Sequence, residues 1–179
     1  RMVVRQQERR AARLAAEEGF AFVDVKHCHG YLLHEFLAAR RRGGAYGGPD
    51  LASRTRLLRE VVGAVREAAP GILVGVRLSL FDRVPHRPSP AGGGKGRLGP
   101  GIPEAHDPPY EDGFGVDGAR PSETDWSEPL ALVGGLSGQG VTLLNVTAGS
   151  PYYVPHVQRP AAFPPSDGYA PPEDPLAGV

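Results

Sequence analysis

The chain has 179 residues with 20 basic and 20 acidic side chains, so it has no formal net charge, and its length suggests one ordinary domain. Balanced charge gives no support for a nucleic-acid partner or an anionic membrane surface, and no apolar run approaches the roughly 20 residues that span a bilayer. One cysteine cannot form an internal disulfide, so we expect a cytoplasmic protein.

The chain is predicted to begin with a helix and a strand. Residues 5–18 place Ala and Leu at helical spacing opposite Arg and Glu, and Gly19 is expected to end that helix. The stretch "FAFVDV" is rich in β-branched and aromatic residues and predicts a strand. After a polar turn, "YLLHEFLAAR" is predicted to be helical or irregular, and "RRGGAYGGPD" predicts a loop.

The clearest predicted helix is "LASRTRLLREVVGAVREAAPG", with Asp50 as its N-cap and Pro70 and Gly71 at its end. Its expected buried stripe consists of Leu57, Leu58, Val61, Val62 and Val65. The next stretch, "ILVGVRLSLF", predicts a second buried strand.

A long insert at residues 83–125 follows this strand. About forty irregular residues exceed a usual loop, so we expect a functional or mobile segment. Within it, "PAGGGKGRLGPG" lacks the GxxxxGK[ST] pattern of a phosphate-binding loop and is interpreted as flexible. After it, "TDWSEPLALVGGL" predicts a helix and "VTLLNV" a third strand, followed by an irregular, proline-rich tail at 150–179.

The alternation of predicted helices and strands implies parallel strands covered by helices, and hence an α/β fold. Each strand runs into an unusual polar cluster, namely "KHCHGY", "RLS" and "NVTAGS". The carboxyl ends of parallel strands lie at one edge of the sheet, where α/β proteins place their chemistry. The sequence therefore predicts a functional site built from these three clusters.

The first cluster could serve as a metal site, because it contains four side chains that ligate metals: His27, Cys28, His29 and His34. Neither an HExxH motif nor a paired CxxC accompanies them, so we expect no metal site. Cys28 is interpreted instead as a small buried side chain.

Three further residues near the strand ends each allow two interpretations. Lys26 could form a Schiff base. Because it shares a strand face with Asp24, it could instead pair with Asp24 or with another carboxylate, which is the interpretation we favour. Arg77 meets either an acceptor-rich ligand or a structural carboxylate. Tyr31 follows Gly30, and its hydroxyl is either a proton donor in a pocket or part of a packed core.

Taken together, these residues resemble the old yellow enzyme family of FMN-dependent NADH:flavin oxidoreductases. The family has an acidic strand ending in His-x-x-His or His-x-x-Asn and then Gly-Tyr-Leu, which stands here as "VDVKHCHGYLLHEFL". Its YGG loop and Asn-Arg-containing helix start match "AYGGPDLASRTRLLREVV", and its strand end matches "GVRLS". "LLNVTAGSPYY" is similar to the following strand, so the resemblance covers about residues 5–153.

The resemblance implies a (β/α)8 TIM barrel with FMN at its carboxyl-end mouth. Hydride would pass from NADH or NADPH to an electrophilic alkene, such as an enone or a dienoyl thioester. His29 matches the second member of the pair that binds the substrate's carbonyl oxygen, and Lys26 stands where the family has the first histidine. Tyr31 matches the family's proton donor, and Arg77 matches the arginine beside the pyrimidine edge of the flavin.

The resemblance also implies an internal fragment, since a complete barrel takes about 250 residues and three β/α units are recognisable here. We therefore expect residues 1–179 to form an incomplete FMN-binding domain that is inactive alone, in agreement with the start at Arg1 rather than methionine. Homo-oligomerisation is left open. Two rivals also stay open: a Schiff-base enzyme that uses Lys26, and a non-catalytic remnant or subunit completed by another polypeptide.

Overall fold

The computed structural model describes residues 2–91, 99–158 and 168–172. Its elements are α1 (Met2–Glu17), β1 (Phe22–His27), α2 (Leu32–Glu35), α3 (Leu51–Arg54), α4 (Arg56–Ala68), β2 (Leu73–Ser79), β3 (His86–Pro88), β4 (Gly101–Pro103), α5 (Ser127–Gly138), β5 (Leu143–Thr147) and α6 (Pro155–Gln158). The predicted order of helices and strands is confirmed. Among the described residues, no helix has the length and apolar character needed to cross a membrane.

The three longer strands form one parallel sheet in the order β1-β2-β5. This arrangement confirms the α/β class that the alternation of elements predicted. The register places Lys26 beside Arg77 and Arg77 beside Asn145, so three polar residues stand in one row across the sheet. The closed barrel stays a prediction, because the described residues contribute three parallel strands to the sheet.

One face of the sheet is covered by α1, α4 and α5. Val25, Val76 and Leu78 point into this layer and are at most 4% exposed. The predicted apolar stripe of α4 packs against them, and each of its five members is at most 3% exposed. Burying one Val or Leu side chain contributes about 1.5–3 kcal/mol, so this layer is the main source of stability.

The opposite face, here called the bare face, has no covering helix in the described part of the chain. Phe22, Leu73 and Leu143 project from it with 51%, 49% and 40% of their surface exposed. Lys26 and Asn145 lie further along the same face and are exposed too. Parallel sheets are usually covered on both faces. This face can therefore bind a ligand or pack against further polypeptide chain.

Two segments are more regular than the sequence predicted. The insert at 83–125 contains the antiparallel pair of β3 and β4, and the tail contains α6, short regular elements that the sequence did not predict. Pro88 and Pro103 end these short strands, where their missing N–H groups cost no ladder bond. Residues 92–98, 159–167 and 173–179, which include most of the glycine-rich stretch, lie outside the described residues.

The long predicted helix is divided at Thr55 into α3 and α4. Asp50 caps α3 as predicted, because its carboxylate accepts the backbone N–H of Ser53 at 2.9 Å. The Thr55 hydroxyl donates to the carbonyl of Leu51 at 2.8 Å, so this side chain is held inside the helix-to-helix junction.

Arg54 connects the loop before α3 to the helix before β5. Its guanidinium is fully buried, donates to the carbonyl oxygens of Leu37 and Gly48, and pairs with the carboxylate of Glu128 in α5. Removing one partner of a buried ion pair is strongly destabilising, so Arg54 fixes the loop against α5.

Candidate active site

The three predicted polar clusters meet at Ser79, which is fully buried at the end of β2. Its hydroxyl accepts the backbone N–H of His29 at 3.2 Å and donates to the carbonyl of Gly149 at 3.2 Å. It also lies 2.9 Å from the hydroxyl of Thr147 at the end of β5. One side chain thus links all three strand ends, and the prediction that the clusters share one edge of the sheet is confirmed.

Two consecutive left-handed residues turn the chain after β1. His29 has a φ of 64° and Gly30 a φ of 69°, a region that residues with a side chain seldom adopt. A Cβ atom on Gly30 would lie 2.8 Å from the hydroxyl oxygen of Ser150, so the position also lacks space for a side chain. The turn brings Tyr31 back to Lys26.

The side chains of Lys26 and Tyr31 are in direct contact. Lys26 Nζ lies 3.5 Å from the centroid of the Tyr31 ring, a cation–π contact. The Tyr31 hydroxyl lies 2.8 Å from the hydroxyl of Tyr152, in the segment that follows β5. Tyr31 is 45% exposed and is therefore not part of a packed core. Sequence reasoning missed Tyr152, whose one signal was the Tyr-Tyr pair that follows the third polar cluster.

Arg77 occupies the middle of the polar row on the bare face. Its Nη2 atom lies 2.8 Å from the carboxylate of Asp24, so the structural ion pair that the sequence allowed is formed. Its Nε atom is buried and donates to no group in the described residues. Asp24 therefore pairs with Arg77 rather than with Lys26, which corrects the pairing considered for Lys26. Asn145, the third member of the row, was not predicted.

A second polar cluster is buried behind the turn. Both ring nitrogens of His27, which is fully buried, lack a hydrogen-bond partner among the described residues. Burial, and then the neighbouring His34, lower the pKa of His27 to about 3, so its ring is neutral. His34 Nδ1 accepts the N–H of Gly30 at 2.8 Å, and its Nε2 lies 3.5 Å from the Asp82 carboxylate, whose pKa is raised by burial. His34 therefore helps to hold the turn at Gly30.

Cys28 is fully buried, as predicted, and burial raises the pKa of its thiol. A thiol in that state is a poor nucleophile and a poor metal ligand. Within the part of the chain that the structure describes, no group of three or more His, Cys, Asp or Glu side chains is placed to hold a metal ion.

The fold and the site define an α/β protein with a polar cluster at the carboxyl edge of a parallel sheet. The sequence model of the NADH:flavin oxidoreductase / NADH oxidase family matches residues 4–89. Over these residues the chain is similar to that family, the family of the old yellow enzymes, and the resemblance predicted from the motifs is confirmed there. β5 and Tyr152 lie beyond the matched residues.

Curated relatives match a part of the chain of similar length. The NADH-dependent flavin oxidoreductase iliE of Neonectria sp. (strain DH2) is 49% identical over 76 residues, which is 41% of this chain and 10% of the relative. A putative 12-oxophytodienoate reductase 2 of Oryza sativa subsp. japonica is 46% identical over 76 residues, 41% of this chain and 20% of the relative. The matched part thus spans about a tenth to a fifth of these relatives.

Solved structures are similar to parts of this chain as well. Morphinone reductase in complex with tetrahydroNAD matches 45% of this chain and 22% of its own, at 37% identity and a TM-score of 0.40. TcOYE with pHBA matches 82% of this chain and 32% of its own, at 22% identity and a TM-score of 0.48.

Proposed function

We propose that the protein containing this chain is an FMN-dependent oxidoreductase of the old yellow enzyme type. It transfers hydride from NADH or NADPH to an activated alkene or a similar acceptor, such as an unsaturated thioester. The observation that carries the proposal is the contact between Lys26 and Tyr31 at the carboxyl edge of the sheet, beside Arg77. The family match over residues 4–89 and the names of the curated relatives support it.

The bare face suits the pyrimidine edge of a flavin, which presents hydrogen-bond acceptors. Arg77 keeps a buried Nε donor that has no partner in the described residues. Gly75, two residues earlier on the same face, has no side chain to obstruct a flat ligand. Arg77 would donate to the flavin edge, with Asn145 beside it as a further donor. When bound, FMN supplies hydride transfer between nicotinamide and acceptor.

Lys26 and His29 bind the carbonyl oxygen of the acceptor in this proposal. The Lys26 ammonium is exposed on the bare face, so it can donate hydrogen bonds and a full positive charge to that oxygen. Lysine places its charge on a flexible stem, whereas the histidine that the family has at this position is a flat donor. The pair stabilises the negative charge that develops on the oxygen and makes the neighbouring alkene more electrophilic.

Tyr31 donates a proton to the carbon opposite the one that receives hydride. Its ring is 45% exposed, so an acceptor molecule can reach the hydroxyl. The Lys26 ammonium against the ring stabilises the negative charge that remains on the phenol oxygen after the proton has left.

The complete protein is proposed to be a TIM barrel in which this chain forms three β/α units, with the 83–125 segment inserted after β2. Further strands would pair with the open edges of β1 and β5 and enclose the bare face. We place the protein in the cytoplasm and leave its oligomeric state open.

Rapid mixing of the intact, FMN-loaded protein separates its two half-reactions. Tyr31→Phe is expected to leave flavin reduction by NADH or NADPH unchanged and to slow reoxidation by an enone about 100-fold, the usual scale for the loss of a general acid. Tyr153→Phe removes a hydroxyl from the neighbouring segment and is the matched control, with both rates unchanged.

Unchanged rates in Tyr31→Phe would contradict the proton-donor role, and an intact protein that does not bind FMN would contradict the whole proposal. Borohydride trapping of a carbonyl compound on Lys26 would favour the Schiff-base rival. Copurification with a polypeptide that supplies the remaining strands would favour the completed-subunit rival.

A further inference from the structure

Tyr152 is held against the turn after β1 by a short chain of hydrogen bonds. The Ser150 hydroxyl, which is buried, accepts the backbone N–H of Tyr152 at 3.2 Å. The same hydroxyl donates to the carbonyl of His29 at 3.3 Å. The segment after β5 is therefore fixed to the turn that positions Tyr31, and Tyr152 is not a loose surface residue.

The two tyrosines face each other through their hydroxyl groups. The oxygen atoms lie 2.8 Å apart, and the rings pack edge to face with their centroids 6.0 Å apart. Tyr31 is contacted on its ring by Lys26 and at its hydroxyl by Tyr152. Tyr152 is 67% exposed in the part of the chain that the structure describes, so its side chain reaches solvent there. The pair thus connects the proposed proton donor to solvent.

We propose that Tyr152 returns a proton to Tyr31 after each transfer to the acceptor. The inference rests on the proposed function, in which Tyr31 is the proton donor. Tyr152 acts through Tyr31 and is a positioning residue rather than a catalytic one. It lies beyond residues 4–89, which the family model matches.

The transfer balances without any change of oxidation state. The O–H bond of Tyr31 breaks as its proton passes to the acceptor carbon. The O–H bond of Tyr152 then breaks, and its proton forms a new O–H bond on Tyr31. Finally, the oxygen of Tyr152 takes a proton from a buffer acid or from water, which leaves the conjugate base or hydroxide in solvent. Two phenols are chemically matched, so exchange between them requires little free energy, and the nearby Lys26 charge favours an anionic oxygen at this pair.

The test uses Tyr152→Phe in the intact, FMN-loaded protein, with Tyr153→Phe as the matched control. In dilute buffer, Tyr152→Phe is expected to slow steady-state enone turnover about tenfold, while flavin reduction, FMN affinity and the first reoxidation after mixing stay unchanged. Added imidazolium or phosphate monoanion should restore the turnover rate, since either can deliver the missing proton. The solvent deuterium isotope effect on turnover should rise, because proton return then limits the rate.

A second variant separates proton return from packing. Tyr152→His keeps a side chain that carries a proton, so it should retain more of the rate than Tyr152→Phe and follow the titration of imidazole. A slowed Tyr152→Phe that added buffer acids do not rescue, with an unchanged isotope effect, would overturn the inference. So would steady-state turnover at the wild-type rate in dilute buffer.

The same experiment distinguishes failure of the inference from failure of the proposed function. If Tyr31→Phe slows reoxidation and Tyr152→Phe leaves steady-state turnover unchanged, the inference alone is wrong. If the intact protein does not bind FMN, or if Tyr31→Phe leaves reoxidation unchanged, the proposed function fails and the inference fails with it.

Discussion

The two faces of the sheet differ in how fully their apolar side chains are buried and their polar groups are hydrogen-bonded. On the helix-covered face, Val76 and Leu78 are fully buried in a continuous apolar layer. On the bare face of the same strand, Leu73 is half exposed and Arg77 keeps a buried donor that has no partner in the described residues. Alternate residues of one strand thus differ in role: one set is packed in the core and stabilises the fold, and the other donates to a ligand in the proposed function.

The largest expected effect compares one leucine from each face of β2. Leu78→Ala should lower the free energy of unfolding by about 3 kcal/mol, because it opens a cavity in the buried layer. Leu73→Ala should lower it by less than about 1 kcal/mol, because half of that side chain is already in water. Urea unfolding of both variants in the 179-residue chain measures the difference, and equal losses would mean that the bare face is covered in solution.

A smaller effect is expected where the two faces meet, at the strand ends. Ser79→Ala leaves groups on His29, Thr147 and Gly149 without their buried partner and should cost about 2 kcal/mol of unfolding free energy. Thr147→Val removes one of these bonds and should cost about 1 kcal/mol. Urea midpoints give both values. If Ser79→Ala costs no more than Thr147→Val, Ser79 does not link the three ends.

The last effect concerns stability in acid and is absent at neutral pH. The pKa of His27 falls from 6.5 to about 3 on folding, so between these pH values the unfolded chain binds the extra proton. Stability from this group is fully present above pH 6.5 and is lost as the pH falls, by about 1.4 kcal/mol per pH unit. His27→Leu should flatten this dependence.

Comparing His27→Leu with wild type separates the contribution of His27 from that of groups whose titration changes stability in the opposite direction. Burial raises the pKa of Asp82, which therefore favours the folded state as the pH falls, and that contribution is common to both proteins. Urea midpoints measured across the acid range provide the test. Parallel curves for wild type and His27→Leu would contradict a neutral, buried His27.

The order of elements could be predicted because each repeats a local pattern. The stripe of α4 has the period of a helix with one packed face, and all of its members are buried. The meeting of the strand ends followed from parallel topology alone. The break at Thr55 could not be predicted in the same way, since the apolar pattern continues across it.

The sequence predicted which candidate residues lie near the strand ends, but it did not predict which residues they contact. Lys26, Tyr31 and Arg77 were found because they stand at strand ends. Asp24 was considered as a partner of Lys26 because both share a face, yet residues two apart along a strand are separated by about 7 Å. The residue directly beside Asp24 is Gly75, which has no side chain, and the long side chain of Arg77 reaches the Asp24 carboxylate diagonally. The contact between Tyr152 and Tyr31 depends on how the segment after β5 folds back over the turn, and no local sequence pattern predicts that.

The hydroxyl contact between Tyr31 and Tyr152 joins positions 121 residues apart, which has a consequence for synthesis of the protein. At roughly 5–20 residues per second, the ribosome adds Tyr152 on the order of ten seconds after Tyr31. The nascent chain therefore presents Lys26 and Tyr31 well before the residue that completes their surroundings exists. Any early assembly of β1 and β2 must wait, with this edge unfinished, until β5 and the following turn emerge.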